Sequence, residues 1–345
     1  MVPNFEPKYY SALAANCQRS SSETCVVDST LLKRLPFPYF HNYLPNAYLY
    51  PSNASSEGKP VLAFVHNPKS GGTTIKNCML KIFRPNPPVL LSFKTAYTIR
   101  ENLLNGDVHL DDYYMGDSTL GICDYGSSRP CSYFTMMREP YDRVVSHYYF
   151  CKDGGQSYPP CDNSLEDFVL DSCNLFFRQT TVRFNCKETV DHYCDDKRMC
   201  PHSWHCNATE VHVDNMAITQ HERETILQYV VQNLDKMFTV IGLVEEFDTS
   251  LELFQDTLGG NFHEFCQGMR GNKGSYIHRE NGSGSKILSR EEEVEAAKRR
   301  LRSNENVRRC LSDDEKIYEK AKELFKLQKE ELEKRKKAQK ESKAN

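Results

Sequence analysis

Six consecutive residues, from Lys69 to Thr74, bring together the groups that hold an anion. Lys69 supplies a positive charge, and Gly71 and Gly72 let the backbone approach a ligand without a Cβ in the way. Hydroxyl groups that donate hydrogen bonds come from Ser70, Thr73 and Thr74. These residue types at this spacing predict a phosphate cradle, in which the first N–H groups of the following helix also point at the anion.

A second segment with phosphate-binding groups begins at Arg138, whose planar guanidinium offers several hydrogen-bond donors suited to a phosphate. Ser146 follows eight residues later, about two turns into a helix that starts near Pro140. Ser146 could therefore lean back toward the same ligand. The alternative is that Arg138 forms a surface ion pair with Glu139 or Asp142.

Strand-like apolar runs must position both segments. VLAFV precedes the first, SYFTMM precedes the second, and a third run, FTVIGLV, begins at Phe238. Each run is followed by a helical pattern, as expected of an α/β protein with a central, mostly parallel sheet flanked by helices. In such sheets ligands bind at the carboxyl ends of the strands, where both segments would lie.

The order of residues in the first segment separates it from the common nucleotide loop, GxxxxGK[ST], because Lys69 precedes the glycines. The PKSGGTT segment and the REPYDRVVS segment together resemble the Golgi carbohydrate sulfotransferases that use 3′-phosphoadenosine 5′-phosphosulfate, in particular the heparan sulfate 2-O- and 6-O-sulfotransferases. A P-loop kinase would share the strand, loop and helix, but it needs the opposite order and a magnesium-binding Asp. An ordinary tight turn between strand and helix is the other alternative.

The resemblance implies the P-loop-like sulfotransferase fold, sulfonate transfer to a carbohydrate hydroxyl, and no metal. Lys69 would be catalytic, and the residues from Ser70 to Thr74 would bind the 5′-phosphosulfate. Arg138 and Ser146 would bind the 3′-phosphate. In the family a mobile loop closes over the nucleotide, and the matching segment here offers Lys273, Tyr276 and Arg279.

The catalytic base is where this chain departs from the family, which places a histidine between the two motifs. Asp117 stands near the corresponding position, and His109 lies eight residues earlier. An aspartate could accept the proton if burial raised its pKa, whereas histidine needs less help near neutral pH. Both residues are candidates. If neither reaches the acceptor, the protein would be a non-catalytic, secreted glycan-binding module of the same fold.

The charge and cysteine content of the chain limit the kinds of partner and site that we expect. The formal net charge of −3 over 345 residues gives no global electrostatic reason to expect nucleic acid. The resemblance, in turn, implies a glycan acceptor as the partner, with anionic polysaccharides among the candidates. Fourteen cysteines fit either disulfides or zinc, but no CxxC pair occurs, so disulfides are favoured.

The cysteines and three glycosylation sequons, at Asn53, Asn207 and Asn281, predict a protein of the secretory pathway, and the resemblance implies the Golgi lumen or secretion. A membrane anchor, usual in the family, is not present in this sequence. We expect an N-terminal arm over residues 1–58 and a sulfotransferase domain over 59–325, with a disulfide-rich insertion at 151–213. Residues 326–345 are expected to form a charged helical tail exposed to solvent.

Overall fold

A computed structural model describes residues 46–49, 60–91, 99, 102–103, 110–117, 119–120, 122–125, 131–154, 162–181, 220–267 and 290–344. Five parallel strands form a sheet in the order β2-β3-β1-β4-β5. The strands are β1 (Val61–Val65), β2 (Val89–Leu90), β3 (Tyr113–Gly116), β4 (Cys131–Met137) and β5 (Val240–Leu243). The predicted α/β class with a mostly parallel sheet is confirmed.

Helices cover both faces of this sheet, as the apolar strands require. They are α1 (Gly72–Ile82), α2 (Pro140–Lys152), α3 (Leu165–Ser172), α4 (Leu175–Thr181), α5 (Gln220–Met237), α6 (Phe247–Leu258), α7 (Phe262–Cys266), α8 (Arg290–Ser303) and α9 (Glu305–Ala344). A short 3-10 helix spans Ile122–Tyr125. None of the helices in the described ranges is long and apolar enough to cross a bilayer.

The two central strands hold the site in place. Every residue of β1 and β4 is buried, which explains their unbroken apolar runs. From β1 the chain turns toward β2 and β3, whereas β4 leads away to β5 on the other side. The carboxyl ends of β1 and β4 therefore flank a point where the strand order reverses, the usual ligand crevice of such sheets.

The long helix α9 differs from the sequence expectation. Beyond Lys326 it was predicted to be solvated, yet Gln328 and Leu332 are buried. The Gln328 amide donates to the Ile241 carbonyl at 2.8 Å and accepts from the Ile241 N–H at 3.1 Å. Ile241 lies on the edge strand β5, so the side chain satisfies backbone groups that an edge strand leaves open.

Disulfides join elements far apart in the sequence. Cys78 of α1 pairs with Cys266 of α7, and Cys173 pairs with Cys310 of α9. A third bond links Cys123 to Cys131. The prediction of disulfides is confirmed for these residues. Such bonds fit a secretory or lumenal protein.

Candidate active site

The loop after β1 turns through two left-handed backbone positions. Gly71 has φ 72°, and the non-glycine residue Lys69 has φ 65°. A side chain in this region costs of order 1–2 kcal/mol, and such strain concentrates at functional sites. The Ser70 N–H donates to the Asn67 carbonyl at 3.2 Å and closes the turn. The loop is thus a tight turn closed by a backbone hydrogen bond.

Helix α1 begins without a cap. The Gly71 position offers no side-chain hydrogen bond, and the first turn contains no acidic residue. The first backbone N–H to find an acceptor is that of Ile75, which donates to the Gly71 carbonyl at 3.3 Å. The N–H groups of residues 72–74 have no acceptor within the described part of the chain. Uncapped N–H groups at a helix start are suited to bind an anion.

Ser70 adds a buried donor to the same site. Its side chain is fully buried, and its Oγ has no hydrogen-bond partner among the described residues. A buried hydroxyl without a partner costs free energy unless a ligand satisfies it. Thr73 and Thr74, in contrast, lie at least partly exposed at the helix start. The predicted cradle residues are therefore brought together, with backbone and side-chain donors on one loop.

Gly72 has a role that the sequence did not reveal. A Cβ at this position would lie 1.8 Å from Cδ2 of His66, so only glycine lets the imidazole pack against the start of α1. We predicted that Gly72 lets a ligand come close to the backbone. The structure shows that the missing side chain leaves room for the His66 ring.

Arg138 lies beside the cradle because β4 pairs directly with β1, with Val65 opposite Thr135. Its Nη1 donates to the Lys69 carbonyl at 3.2 Å. The alternative of an ion pair with Glu139 or Asp142 is wrong. Those carboxylates contact cations of α8: Arg302 lies 3.4 Å from Glu139, and Lys298 lies 2.9 Å from Asp142. Within the described ranges, no carboxylate forms an ion pair with the Arg138 guanidinium.

The Lys69 ammonium sits over the Phe150 ring of α2, 3.7 Å from its centroid. Burial, and next the positive charge of Arg138, lowers the pKa of Lys69 to about 8. This contact holds the cation between the loop and α2. An anion bound here would raise the pKa again by offsetting Arg138.

Helix α2 adds further positive charge. Arg143 is buried, and its Nη2 lies 3.6 Å from Asp314 of α9. Burial, with the charges of Arg143 and Lys69, lowers the pKa of His147 to about 3, so this histidine is neutral at physiological pH. Ser146 is half-buried on the same helix. Asn67, Arg138 and Arg143 also line one small cavity with Asp314.

On the other side of β1, the Nδ1 atom of His66 contacts Oδ1 of Asp117. His66 directly follows β1, and Asp117 directly follows β3, so the parallel pairing of these strands brings the two together. Sequence reasoning selected Asp117 but missed His66. The available signal was its position directly after the strand, three residues before the cradle segment that begins at Lys69.

The family comparison agrees with this site. A family model described as "Sulfotransferase family" matches residues 53–325. This chain belongs to the sulfotransferase family. No match was found among curated proteins. The family transfers sulfonate, and the matched range contains both segments from which the site is built.

Some predicted residues of the sulfotransferase lie outside the described ranges. They are His109, the loop residues Lys273, Tyr276 and Arg279, and the sequons at Asn53, Asn207 and Asn281. Their roles stay predictions. Among the described residues, no group of three or more His, Cys, Asp or Glu side chains is arranged to hold a metal ion.

Proposed function

We propose that this sulfotransferase moves sulfonate from 3′-phosphoadenosine 5′-phosphosulfate to a carbohydrate hydroxyl. The observation that carries the proposal is the meeting of the two segments that follow the adjacent parallel strands β1 and β4, where the Arg138 side chain donates to the Lys69 carbonyl at 3.2 Å. The helix N–H groups that follow Lys69 have no acceptor among the described residues. Two cationic residues and a set of donors on neighbouring segments suit a ligand with two separate anionic groups.

Each part of the donor has a matching group. The 5′-phosphosulfate would occupy the cradle, where the N–H groups of residues 72–74 and the buried Ser70 hydroxyl supply hydrogen bonds. The 3′-phosphate would bind Arg138 and the Ser146 hydroxyl. The Lys69 ammonium stands beside the loop, ready to take the charge on the leaving oxygen.

Sulfonate transfer is an in-line displacement. The acceptor oxygen forms a bond to sulfur, the bond between sulfur and the 5′-phosphate oxygen breaks, and the electron pair leaves on adenosine 3′,5′-bisphosphate. A cation near that oxygen lowers the barrier, and a base removes the hydroxyl proton. Lys69 is the cation in this proposal.

The compartment supports a glycan acceptor. The disulfides Cys78–Cys266 and Cys173–Cys310 belong to an oxidising environment, where sugar chains are built and modified. The resemblance to carbohydrate sulfotransferases points the same way. On this reasoning we propose that the protein acts in the Golgi lumen or is secreted.

The acids after β5 do not favour the kinase alternative. Glu245 accepts the Glu139 N–H at 2.9 Å, and Glu246 pairs with Lys329 at 2.5 Å. Both carboxylates thus serve the structure. ATP with magnesium remains a useful competitor in the test below.

Arg138→Ala is expected to weaken adenosine 3′,5′-bisphosphate by roughly 10- to 100-fold, the worth of one charge-assisted phosphate contact. Affinity for AMP, which lacks the 3′-phosphate, should change little. Calorimetric titration of the purified protein with both nucleotides and with ATP–magnesium measures this. Arg309→Ala, at an exposed arginine paired with Glu305, is the matched control. Equal losses for both nucleotides would contradict the role of Arg138, and preference for ATP would contradict the proposed donor.

The pH dependence of turnover follows from Lys69. Because its pKa is lowered to about 8 by burial and Arg138, the ammonium is fully charged below that pH and is lost above it. We expect kcat/KM to fall as pH rises through about 8. In Lys69→Arg, which stays charged, any remaining activity should lack this fall. A wild-type profile that stays level to about pH 10, near the ordinary lysine pKa, would contradict the prediction.

A further inference from the structure

The contact between His66 and Asp117 is built by the sheet. Val65 lies opposite Gly116, so the residues that follow each strand emerge side by side at the carboxyl edge. The His66 side chain is 12% exposed and the Asp117 side chain 28%. The His66 carbonyl accepts a hydrogen bond from the Gln179 side chain at 3.1 Å, which fixes the backbone at this point. Both side chains are thus held by the surrounding fold and still reach solvent.

The chemistry of the contact sets the tautomer of His66. Oδ1 of Asp117 is the nearest atom to Nδ1, and a carboxylate oxygen offers only lone pairs, so we assign the proton to Nδ1. Nε2 then keeps its lone pair, and within the described chain no hydrogen bond occupies it. The charged groups that face this imidazole from the described elements are Asp117 after β3 and Lys76 of α1, whose Nζ lies 3.5 Å from Nδ1.

Asp117 itself is poorly suited to take a proton. Burial works to raise its pKa, but His66 and Lys76 outweigh burial and hold the pKa below its ordinary value. A carboxylate of lowered pKa is a weaker base. It is, however, well suited to stabilise an imidazolium beside it.

Nε2 of His66 also lies close to the proposed sulfonate-binding loop. A Cβ built on Gly72 would be 2.4 Å from Nε2, so this atom lies against the first residue of α1. The N–H groups without an acceptor begin at that same residue. A base here stands beside the position where the sulfonate would be held.

We propose that His66 is the catalytic base and that Asp117 is its positioning residue. The proposal rests on the proposed sulfonate transfer and takes His66 as the base in place of Asp117 and His109, the two candidates from the sequence. Nε2 takes the proton of the acceptor hydroxyl while that oxygen bonds to sulfur and the nucleotide oxygen leaves with the electron pair of the broken bond. Asp117 stabilises the imidazolium, which releases its proton to solvent before the next turnover.

His66→Asn tests the proposal, because the asparagine amide can still donate to Asp117 but has no basic nitrogen. We expect kcat to fall by about 10²- to 10⁴-fold, the usual contribution of a general base. The Kd for adenosine 3′,5′-bisphosphate should stay within about threefold, since nucleotide binding does not need this base. In His66→Ala, added imidazole should restore part of the lost activity, and more basic imidazoles should restore more. A purely structural histidine would give no such dependence on basicity.

Asp117→Asn separates the positioning role from the catalytic one. Without the carboxylate contact the imidazole is no longer held in its productive orientation, so we expect kcat to fall by up to about 10²-fold while KM for the nucleotide stays within about threefold. Asp117→Glu should restore part of the lost kcat. Asp111→Asn, an acid-to-amide change at an exposed position just before β3, should leave kcat unchanged.

Two results would overturn the proposal. One is near-wild-type kcat with an unchanged pH profile in folded His66→Asn. The other is loss of nucleotide affinity in that variant, which would make His66 part of the cradle. If the wild-type protein itself fails to bind adenosine 3′,5′-bisphosphate, the proposed function fails as a separate matter.

Discussion

Lys69→Ala is expected to lower kcat by about 10²- to 10³-fold, the usual loss when one group that stabilises transition-state charge is removed. The ammonium lies 3.7 Å from the Phe150 ring centroid, where the loop and α2 meet. Lysine and alanine carry a similar cost at a left-handed position such as φ 65°, so folding should be little affected. The loss would therefore report the missing charge.

Turnover of sulfonate from the proposed donor, measured at saturating nucleotide, is the direct readout. Lys69→Met keeps an aliphatic chain over Phe150 and should be as inactive as alanine. Lys152→Ala removes an exposed lysine from α2, 5.4 Å from the Tyr148 ring, and is expected to keep full activity. Near-normal turnover in folded Lys69→Ala would refute the role given to this lysine.

Asp314→Ala should destabilise the folded protein by about 3–5 kcal/mol, as expected when one partner of a buried ion pair is removed. The carboxylate lies 3.6 Å from the buried Arg143 guanidinium. It also accepts the Phe177 N–H at 2.9 Å and the Phe176 N–H at 3.3 Å, at the start of α4. Alanine would leave a buried charge and two backbone donors without this acceptor.

Chemical unfolding with the disulfides intact measures the change. Asp314→Asn keeps an acceptor oxygen and should lose less stability than alanine. Glu319→Ala, at an exposed pair with Lys322 on the same helix, should change the free energy of unfolding by less than about 1 kcal/mol. A loss no greater than that control would show that α9 does not need this carboxylate.

Substitution of Asp314 should also affect the active site. Arg143 lies on α2, one turn before Ser146, and it lines a cavity together with Arg138. If Asp314 holds Arg143 in place, Asp314→Asn should also weaken adenosine 3′,5′-bisphosphate. In that case α9 stabilises the position of α2, the helix that we expect to contact the 3′-phosphate.

The sequence by itself determined those parts of this protein whose residues are close together in the chain. The apolar run of β1, the following Lys69–Gly71–Gly72 turn and the start of α1 are neighbours in the chain, so residue types and spacing predict them. The same holds for β4, Arg138 and the Pro140 start of α2. Both motifs precede their helices directly, which is why the α/β class and the sulfotransferase family could be inferred.

Only the tertiary structure decided which distant residues meet. His66 and Asp117 are brought together by the pairing of β1 with β3, and sequence spacing does not encode strand order. Position 72 requires a glycine because the His66 ring occupies the space that a Cβ would fill. Gln328 looks like one more polar residue of a solvated helix, but the open edge of β5 gives its amide two backbone partners. Contacts of this kind depend on packing between elements, which local propensity and periodicity do not specify.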